Sequence, residues 1–447
     1  MTELTAARDR YLSDFEAFER TDRAAGPDWL RAIRRGAMER FAELGFPTSR
    51  DEDWKYTSLA PLEKIRFRPL LDGAPEEPAP ELIARFALGE ASNRLVFVDG
   101  RHSAKLSTAG PLPGGVRLLS LAEALVTDAG LVEAHLARHA DHGRHGFTAL
   151  NGAFVQDGLF LYVPPGVRVA EPIHVVFIAR ATENPTIAQP RNLIVLEPEA
   201  QATIVESYAG LGNHPYLTNA VTEVAAGAGA MVDHYKVQEE GGRAFHVSTN
   251  RVTQARDSRV AFCSVALGAR LARNEVHVVL DAEGSECTLS GLYVISAQQH
   301  VDNHTVVDHA KPRCTSRQLY KGVLDGRSRA VFSGRIIVRP DAQKTDAHQT
   351  NKNLLLSDGV EVDSKPQLEI FADDVKCTHG AADGQLAEDA LFYLKSRGLG
   401  DEAARRLLTY GFASEILARI GVTSLRTRLD ELVIARLRRE REPQETS

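Results

Sequence analysis

The middle of this chain opens with two short apolar runs on either side of a turn: Leu159-Phe160-Leu161-Tyr162-Val163, then Pro164-Pro165-Gly166, then Ile173-His174-Val175-Val176-Phe177-Ile178. Runs of this length, rich in β-branched and aromatic residues and bounded by turn residues, are typical of β-strands. Similar runs continue through residues 193–196, 221–224, 276–280 and 330–332, and no long helical pattern interrupts about 230 residues from Phe147 onward. The pattern favours stacked short strands over a sheet with crossover helices.

Turn signals recur in this region at intervals of about thirty residues or a small multiple of that spacing. Spacings of this size are typical of repeat architectures, in which each coil stacks on its neighbour. The periodicity alone leaves a β-solenoid and a large sandwich open. The turn signals are Gly227, Asp257, Gly284, Gly326 and Gly359.

Helical spacing marks both ends of the chain. Near the start, Leu30, Ile33, Ala37 and Phe41 recur at helical intervals, and a helix is also predicted over 121–139. Helical periodicity returns after Gly384. We therefore predict a helical or α/β domain over residues 1–146, a β-rich core over 147–384 and a helical domain over 385–447.

The composition indicates a globular protein, with 43% hydrophobic and 25% charged residues among 447. A net charge of −7 gives no general attraction to nucleic acid or anionic membranes. No apolar run approaches the length of a membrane span, and no secretory signal is visible at the start. Four cysteines without a CxxC pair fit a reducing compartment, so we expect a cytoplasmic protein.

Common enzyme motifs are absent: there is no P-loop, no G-x-S-x-G elbow and no H-E-x-x-H helix. Of the cysteines, Cys263 lies on an apolar strand face and is predicted to pack in the core. Cys287 and Cys314 follow at nearly one coil period, so a stack above Cys263 stays open as the less favoured alternative. Cys314 lies near Arg313 and Arg317, which could lower its pKa.

The pair Cys377 and His379 is the candidate site. In a strand, residues i and i+2 project to the same face, and thiolate and imidazole are both metal ligands. A lone C-x-H pattern is weak evidence for a metal site. The alternative interpretation is a buried thiol beside a surface histidine that binds nothing. His300, His304 and His309 favour polar ladders or interface contacts over a metal site.

Longer runs carry a resemblance that spans the chain. The sequence resembles the SufB/SufD family of iron-sulfur cluster assembly scaffolds, and the Lys-Cys-x-His-Gly-Ala form around Cys377 resembles its SufD members. The matching runs are Asp53-Trp54-Lys55-Tyr56-Thr57, Tyr320-Lys321-Gly322, Val331-Phe332-Ser333-Gly334, Asn353-Leu354-Leu355-Leu356-Ser357, Lys365-Pro366-Gln367-Leu368-Glu369-Ile370, Ala372-Asp373-Asp374-Val375-Lys376-Cys377, Leu391-Phe392-Tyr393-Leu394 and Ser396-Arg397-Gly398.

The resemblance implies a mainly β fold with a right-handed parallel β-helix core, and a non-catalytic scaffold. It implies a SufB-like paralogue bound through the β-helix and a SufC-like ABC ATPase bound through the C-terminal helices. His379, with Cys377 beside it, would ligate a transient iron-sulfur cluster shared with SufB. Whether reduced flavin binds, and whether the isolated chain forms a homodimer, stay open; neither nucleic acid nor membrane is expected as a partner.

Two other functions are weighed against this one. A β-helix carbohydrate-active enzyme would need an aromatic groove and paired carboxylates, yet only 6% of residues are aromatic. Asp373 and Asp374, flanked by Val375 and Lys376, fit one solvated and one turn-forming carboxylate better than a Ca²⁺ site. The other alternative is a purely architectural partner in which Cys377 and His379 are inert.

Overall fold

A computed structural model of the chain describes residues 3–71, 76–89, 91–140 and 142–439. The remaining positions of the predicted N-terminal and C-terminal domains lie outside the described residues. The fold is mainly β, with 38% strand and 25% helix, and contains a β-solenoid of about 8 turns with helices at both ends of the chain. The predicted fold class is therefore confirmed.

Helices form where apolar residues recur at helical spacing. α2 follows this rule: Leu30, Ala37 and Phe41 are buried, and Gly45 ends the helix with a positive φ of 64°. The helices are α1 (Glu3–Glu19), α2 (Asp28–Leu44), α3 (Ala60–Glu63), α4 (Pro80–Ala84), α5 (Leu121–Thr127), α6 (Ala129–His135), α7 (Gly146–Ala153), α8 (Glu388–Ser396), α9 (Asp401–Leu417) and α10 (Thr423–Arg439).

The prediction of one helix over 121–139 was wrong. The chain leaves helical geometry at Asp128, with φ −131° and ψ 33°, so that α5 and α6 are separate short helices. The Asp128 carboxylate lies 3.3 Å from the Arg117 Nε on the neighbouring strand. Apolar periodicity does not report backbone dihedral angles, so it did not reveal the break at Asp128.

The strands form two sheets. The first contains β1 (Arg68–Pro69), β4 (Arg117–Ser120), β5 (Leu159–Val163), β7 (Thr186–Ala188), β8 (Arg191–Leu196), β10 (Leu217–Ala226), β12 (Phe245–Gln254), β14 (Leu271–Leu280), β16 (His300–His309), β18 (Arg329–Val338) and β20 (Glu361–Ile370). The second contains β2 (Asn93–Val98), β3 (Arg101–His102), β6 (Ile173–Ala179), β9 (Gln201–Gly210), β11 (Met231–Glu239), β13 (Arg259–Ala266), β15 (Glu286–Ile295), β17 (Thr315–Leu324), β19 (Asp346–Leu355) and β21 (Lys376–Gly384).

From β8 onward the chain alternates between the sheets, and each strand pairs in parallel with the strand one coil later. The register fixes the length of each coil: Phe245 pairs with Leu271 in a shorter coil, and Arg329 pairs with Glu361 in a longer one. These pairings account for the recurrence of the turn signals. Two strands that lie before residue 147 also belong to these sheets: β4 pairs with β5 in the first sheet, and β2 pairs with β6 in the second.

The space between the sheets, which we call the lumen, is filled by side chains. Glycine and tyrosine alternate there on adjacent coils: Gly291 pairs with Tyr320, and Tyr293 pairs with Gly322. A Cβ on Gly322 would clash with the Tyr293 ring, whose hydroxyl donates to Asn353 Oδ1 at 2.5 Å. These glycines make room for the rings of the neighbouring coil.

The helices cover the outer faces of the two sheets. Phe147 of α7, with other N-terminal residues, packs on Leu217 and Phe245 of the first sheet. Ile416 of α9, with other C-terminal residues, packs on the second sheet. Residues of the second sheet in that contact include Val205, Val237, Cys263, Leu292 and Val323. Strands buried on both faces read as nearly continuous apolar runs.

Candidate functional site

The solenoid is open at its C-terminal end. β20 and β21 are the last strands of their sheets, and each pairs with another strand on one side only. At the other end the sheets finish with the antiparallel strands β4 and β3. A free strand edge presents unpaired backbone N–H and C=O groups that can pair with another chain.

Cys377 and His379 lie on β21 at this open end. Cys377 pairs with Ala347 and His379 with Gln349, and both of those partners are buried, so Cys377 and His379 face the lumen side. The His379 side chain is exposed and makes no hydrogen bond or ion pair within the described chain. An uncommitted imidazole at the mouth of the lumen is available to a metal or a partner.

Cys377 differs from His379 in its surroundings. It is half-buried against an apolar cluster that includes Ile336 and Ala347. Burial raises the pKa of the Cys377 thiol, so the protonated form dominates at neutral pH. Since the thiolate is the metal-binding form, Cys377 is the poorer ligand of the two in the isolated chain.

A ladder of amides continues inward from His379. Gln349 and Gln318 occupy the same column on β19 and β17. Both side chains are buried; the Gln349 Nε2 and Oε1 and the Gln318 Nε2 have no hydrogen-bond partner in the described chain. Unsatisfied buried amides are costly, so the lumen mouth is polar and under-satisfied.

His348 lies near His379 but faces outward. Its Nδ1 is 2.6 Å from Thr378 Oγ1 and its Nε2 is 2.9 Å from Asp346 Oδ1. Both ring nitrogens are therefore engaged within the chain. His348 makes a suitable comparison with His379, being the same residue type one strand away.

The other histidines make contacts of the kind the sequence favours. His300 Nε2 lies 3.2 Å from Thr57 Oγ1, and His304 Nε2 lies 2.9 Å from Asp302 Oδ1, at the junction with the N-terminal helices. His309 Nε2 lies 2.9 Å from Ser316 Oγ. Within the part of the chain that the structure describes, no group of three or more His, Cys, Asp or Glu side chains converges as a metal site.

The less favoured alternative, a stack of Cys287 and Cys314 above Cys263, is not formed. Val260 pairs with Cys287, whereas Cys263 pairs with Ser290, because the coil there is longer than the spacing between the two cysteines. Cys287 lies in the lumen core, and Cys263 packs, as predicted, in an apolar cluster, the one beneath the C-terminal helices. The prediction for Cys314 was also wrong, since burial raises the pKa of its thiol despite the nearby arginines.

The C-terminal helices present an apolar surface. On α8, Phe392 is 75% exposed and Tyr393 57% exposed, and Leu407 of α9 is also exposed. Ile416 on α9 is buried against the solenoid, so the apolar residues of this helix are divided between solvent and core. Lys321 ties α9 to β17, with its Nζ 2.9 Å from the Phe412 carbonyl and 2.5 Å from Glu415 Oε2.

A charged network fills the lumen midway along the solenoid, and the sequence analysis missed it. Lys236 Nζ donates to Asn274 Oδ1 at 2.6 Å and lies 2.8 Å from His246 Nε2. His246 Nδ1 lies 2.8 Å from Glu240 Oε2. Burial lowers the pKa of Lys236 to about 7, against the opposing attraction of Glu206 and Glu240. Strand parity could have found it, because Glu206 shares the inward face of Ile204 and Tyr208.

A second buried network anchors the N-terminal segment. The Trp54 ring stacks on Phe147, and the Arg273 guanidinium lies 3.9 Å from the Trp54 ring centroid. Arg273 also pairs with Glu275 at 2.7 Å and with Asp302 at 2.5 Å. The run Asp53 to Thr57, singled out in the sequence, thus docks on the outer face of the first sheet.

Two family models match the chain one after the other. The N-terminal region of SufBD proteins matches residues 5–175, and the SufBD core domain of the SUF system for FeS cluster assembly matches residues 177–412. The chain belongs to the SufBD family. The family models, together with its similarity to SufD proteins, identify it as a SufD-type protein of the Suf system.

The relatives cover nearly all of the chain. An iron-sulfur cluster assembly SufBD family protein of Synechocystis is 35% identical over 416 residues, 90% of each chain. The iron-sulfur cluster assembly protein SufD of Escherichia coli is 33% identical over 383 residues, 85% of this chain and 86% of that protein. SufD of Bacillus subtilis is 26% identical over 430 residues, 95% and 96% respectively.

Family membership gives this SufD-type chain a scaffold-type role in iron-sulfur cluster assembly, in company with other Suf components. Among the residues that the structure describes, no helix is both long and apolar enough to span a bilayer.

Proposed function

We propose that this SufD-type chain is a non-catalytic subunit that pairs with a SufB-like paralogue at the open end of the solenoid and supplies His379 to a nascent iron-sulfur cluster. The observation that carries the proposal is the exposed, uncommitted His379 imidazole on the terminal strand β21, facing the mouth of the lumen. The cluster is the cargo of the assembly, formed at the junction and then released.

The free edges of β20 and β21 support the pairing. Two adjacent strands of ten and nine residues offer their backbone groups to a partner that continues both sheets. A paralogue with the same coil geometry fits this edge, because its strands would extend the existing ladders in register.

The incomplete ligand set supports a shared site. Stable clusters are usually held by four thiolates, and His379 and Cys377 cannot supply that set alone. The partner would contribute the remaining thiolates, and a mixed shell of imidazole and thiolate favours release over permanent storage. Cys377, held protonated by burial, would tune or orient the site.

The apolar surface of α8 supports the docking of a SufC-like ABC ATPase. Phe392 and Tyr393 belong to the run that resembles the family signature, yet they pack against no core of this chain. Exposed aromatic residues of this kind mark protein interfaces.

Four free cysteines fit a reducing compartment, so we place the assembly in the cytoplasm.

The test of the cluster ligand compares three variants in complexes purified with the SufB-like and SufC-like subunits. His379→Ala should lose most of the iron, the sulfide and the visible absorption of the cluster, while the subunits still co-purify. Cys377→Ala should have a smaller effect, and His348→Ala should match wild type because that ring faces outward. A wild-type cluster yield in His379→Ala would support a purely architectural role.

The test of ATPase docking replaces one exposed side chain. Phe392→Asp should abolish recruitment of the ATPase, because a carboxylate would be buried at the interface. Val126→Asp is the matched control, because Val126 is an apolar residue that is 83% exposed on α5, away from the proposed ATPase surface. Undiminished ATPase binding by the Phe392→Asp chain would remove α8 from the interface.

A further inference from the structure

A cavity of about 410 Å³ lies where the N-terminal segment meets the first sheet, and we call it the junction cavity. Its lining comes from β12, β14, β16, β18 and β20 and from the segment between α6 and α7. A neighbouring cavity of about 280 Å³ shares Asp53, Arg144, His145 and Glu275 with it. The two cavities are neighbours beside the first sheet, and Gln367 brings the junction cavity as far as its terminal strand β20.

Positive charge dominates the lining of the junction cavity. Arg144, Arg251 and Arg335 bring guanidinium groups from three separate elements, against the carboxylates of Asp53 and Glu275. Glu275 is already paired with Arg273 at 2.7 Å. Arg335 lies 3.7 Å from Glu369, a contact between partly exposed side chains that contributes little.

The distance between Arg251 and Arg335 indicates the size of ligand that both could contact. Arg251, His277, Val306 and Arg335 form one column across four adjacent strands. Strands are spaced by about 4.8 Å, so roughly 14 Å separates the Arg251 and Arg335 backbones. Arginine side chains reaching inward from both ends can hold a ligand larger than a single small ion.

His277 adds a hydrogen-bond donor without an acceptor. Its Nδ1 contacts Arg251 Nη1, and a guanidinium can only donate, so Nδ1 is the acceptor and Nε2 carries the proton. The Nε2 is buried and has no partner in the described chain. Burial, together with Arg251, lowers the pKa of His277 to about 4, so the ring is a neutral donor at physiological pH.

A second ring nitrogen in the lining also has no partner. His139 Nδ1 lies 3.0 Å from Thr253 Oγ1, while its Nε2 is buried and has no hydrogen-bond partner in the described chain. These imidazoles belong to no converging group of metal ligands within the described residues. The His277 Nε2–H lacks an acceptor and the arginines of the lining attract negative charge, so the cavity favours a negatively charged hydrogen-bond acceptor.

We propose that the junction cavity binds a phosphate-bearing small molecule, with Arg144, Arg251 and Arg335 holding phosphate oxygens and His277 Nε2–H donating to one of them. Phosphate presents several charged acceptors at once, which is the pattern that multiple guanidinium groups match. This site goes beyond cluster assembly at the open end and needs no partner chain.

Isothermal titration of the full chain at fixed ionic strength tests the site with inorganic pyrophosphate, ribose 5-phosphate and citrate. One equivalent of at least one of the phosphate compounds should bind, and citrate should bind at least tenfold more weakly. Tighter pyrophosphate binding would identify a free inorganic anion as the ligand type, and tighter ribose 5-phosphate binding an organic phosphate.

The double variant Arg144→Gln/Arg335→Gln should weaken that binding at least tenfold. The control Arg256→Gln/Arg313→Gln removes the same charge from exposed turns and should bind like wild type. His277→Phe keeps the ring volume and removes the donor, so it should weaken binding severalfold. No saturable binding of either phosphate compound, citrate binding of equal strength, or an equal loss in the control variant would overturn the proposal.

Discussion

The Arg273 guanidinium lies 3.9 Å from the centroid of the Trp54 ring, so a residue near the start of the chain is fixed to the middle of the first sheet. Arg273 is fully buried, and its charge is balanced by Glu275 and Asp302. Thr57 donates to Asp302 at 2.6 Å from the same N-terminal run. The N-terminal segment is thus held by a charge network as well as by apolar packing.

Removing the aromatic half of this contact should destabilise the chain. Trp54→Ala is expected to lower the free energy of unfolding by about 3–5 kcal/mol, because it leaves a cavity against Phe147 and uncovers a buried guanidinium. Lys55→Ala, at an exposed neighbouring position, should change it by less than about 0.5 kcal/mol. Urea unfolding followed by circular dichroism measures both, and similar midpoints for the two variants would contradict this assignment.

Glu275 should make the chain sensitive to acid. Burial alone would raise the pKa of Glu275, but the Arg273 guanidinium outweighs it and holds this pKa at about 2, against an ordinary value of 4.5. The ionised carboxylate therefore stabilises the fold above pH 4.5, and this contribution is lost as the pH falls from 4.5 toward 2.

Glu275→Gln is the variant that tests this dependence. At pH 7 it should be less stable than wild type by about 3 kcal/mol, and the difference should shrink as the pH falls below 4.5. Glu286→Gln, which alters an exposed pair with Arg259, should follow the wild-type curve. A difference between Glu275→Gln and wild type that stays constant from pH 7 to pH 3 would argue against the Arg273 pairing.

Lys236 should make the stability of the chain depend on pH in neutral and mildly alkaline solution. Its pKa is about 7 in the fold against an ordinary 10.5, so the unfolded chain binds more protons between these values, and stability rises with pH. From pH 7 to 8.5, Lys236→Met should remove a slope of at most about 1.4 kcal/mol per pH unit. Unfolding midpoints of wild type, Lys236→Met and the exposed control Lys311→Met would reveal it; parallel profiles for all three would show that Lys236 is not desolvated.

The glycine and tyrosine alternation in the lumen predicts a steric effect. Gly322→Ala should destabilise the solenoid by roughly 1–3 kcal/mol, because the new methyl group would clash with the Tyr293 ring, which is held by its bond to Asn353. Gly380→Ala, where nothing lies within contact of the added Cβ, should be neutral in the isolated chain. Thermal unfolding of the two variants distinguishes a packed lumen from a loose one, since a loose lumen would accept both.

Deletion of the C-terminal helices should disturb the solenoid as well as remove the docking surface for the ATPase. Cutting at residue 385 would expose Val237, Cys263 and Leu292, which are buried beneath α9 and α10. Point substitutions on α8 are therefore the sharper probe of ATPase docking.

The strands could be predicted from the sequence because each coil repeats the same local chemistry of β-branched runs and turns. α2 was equally visible, since its apolar residues follow a single helical face. The strand register of each cysteine could not be predicted, because coil length varies along the solenoid. A shift of a few positions changes which residues of the adjacent coils lie beside the cysteine. The Lys236 network was missed because charged residues in strands usually face solvent, although the alternation of Ile204, Glu206 and Tyr208 marks Glu206 as inward-facing. The junction cavity was missed because only the register shows which residues of separate strands lie beneath the N-terminal segment.

The attachment of α9 to β17 defines a short mechanical route to His379. A load on α9 enters the second sheet at Lys321, then crosses the ladder from β17 to β19 and the ladder from β19 to β21. The pairing is continuous over both ladders, so only two strand-to-strand steps separate Lys321 from the strand of His379. The N-terminal helices pack on the first sheet instead, so a load on α9 directly reaches only the half of the lumen mouth that carries His379.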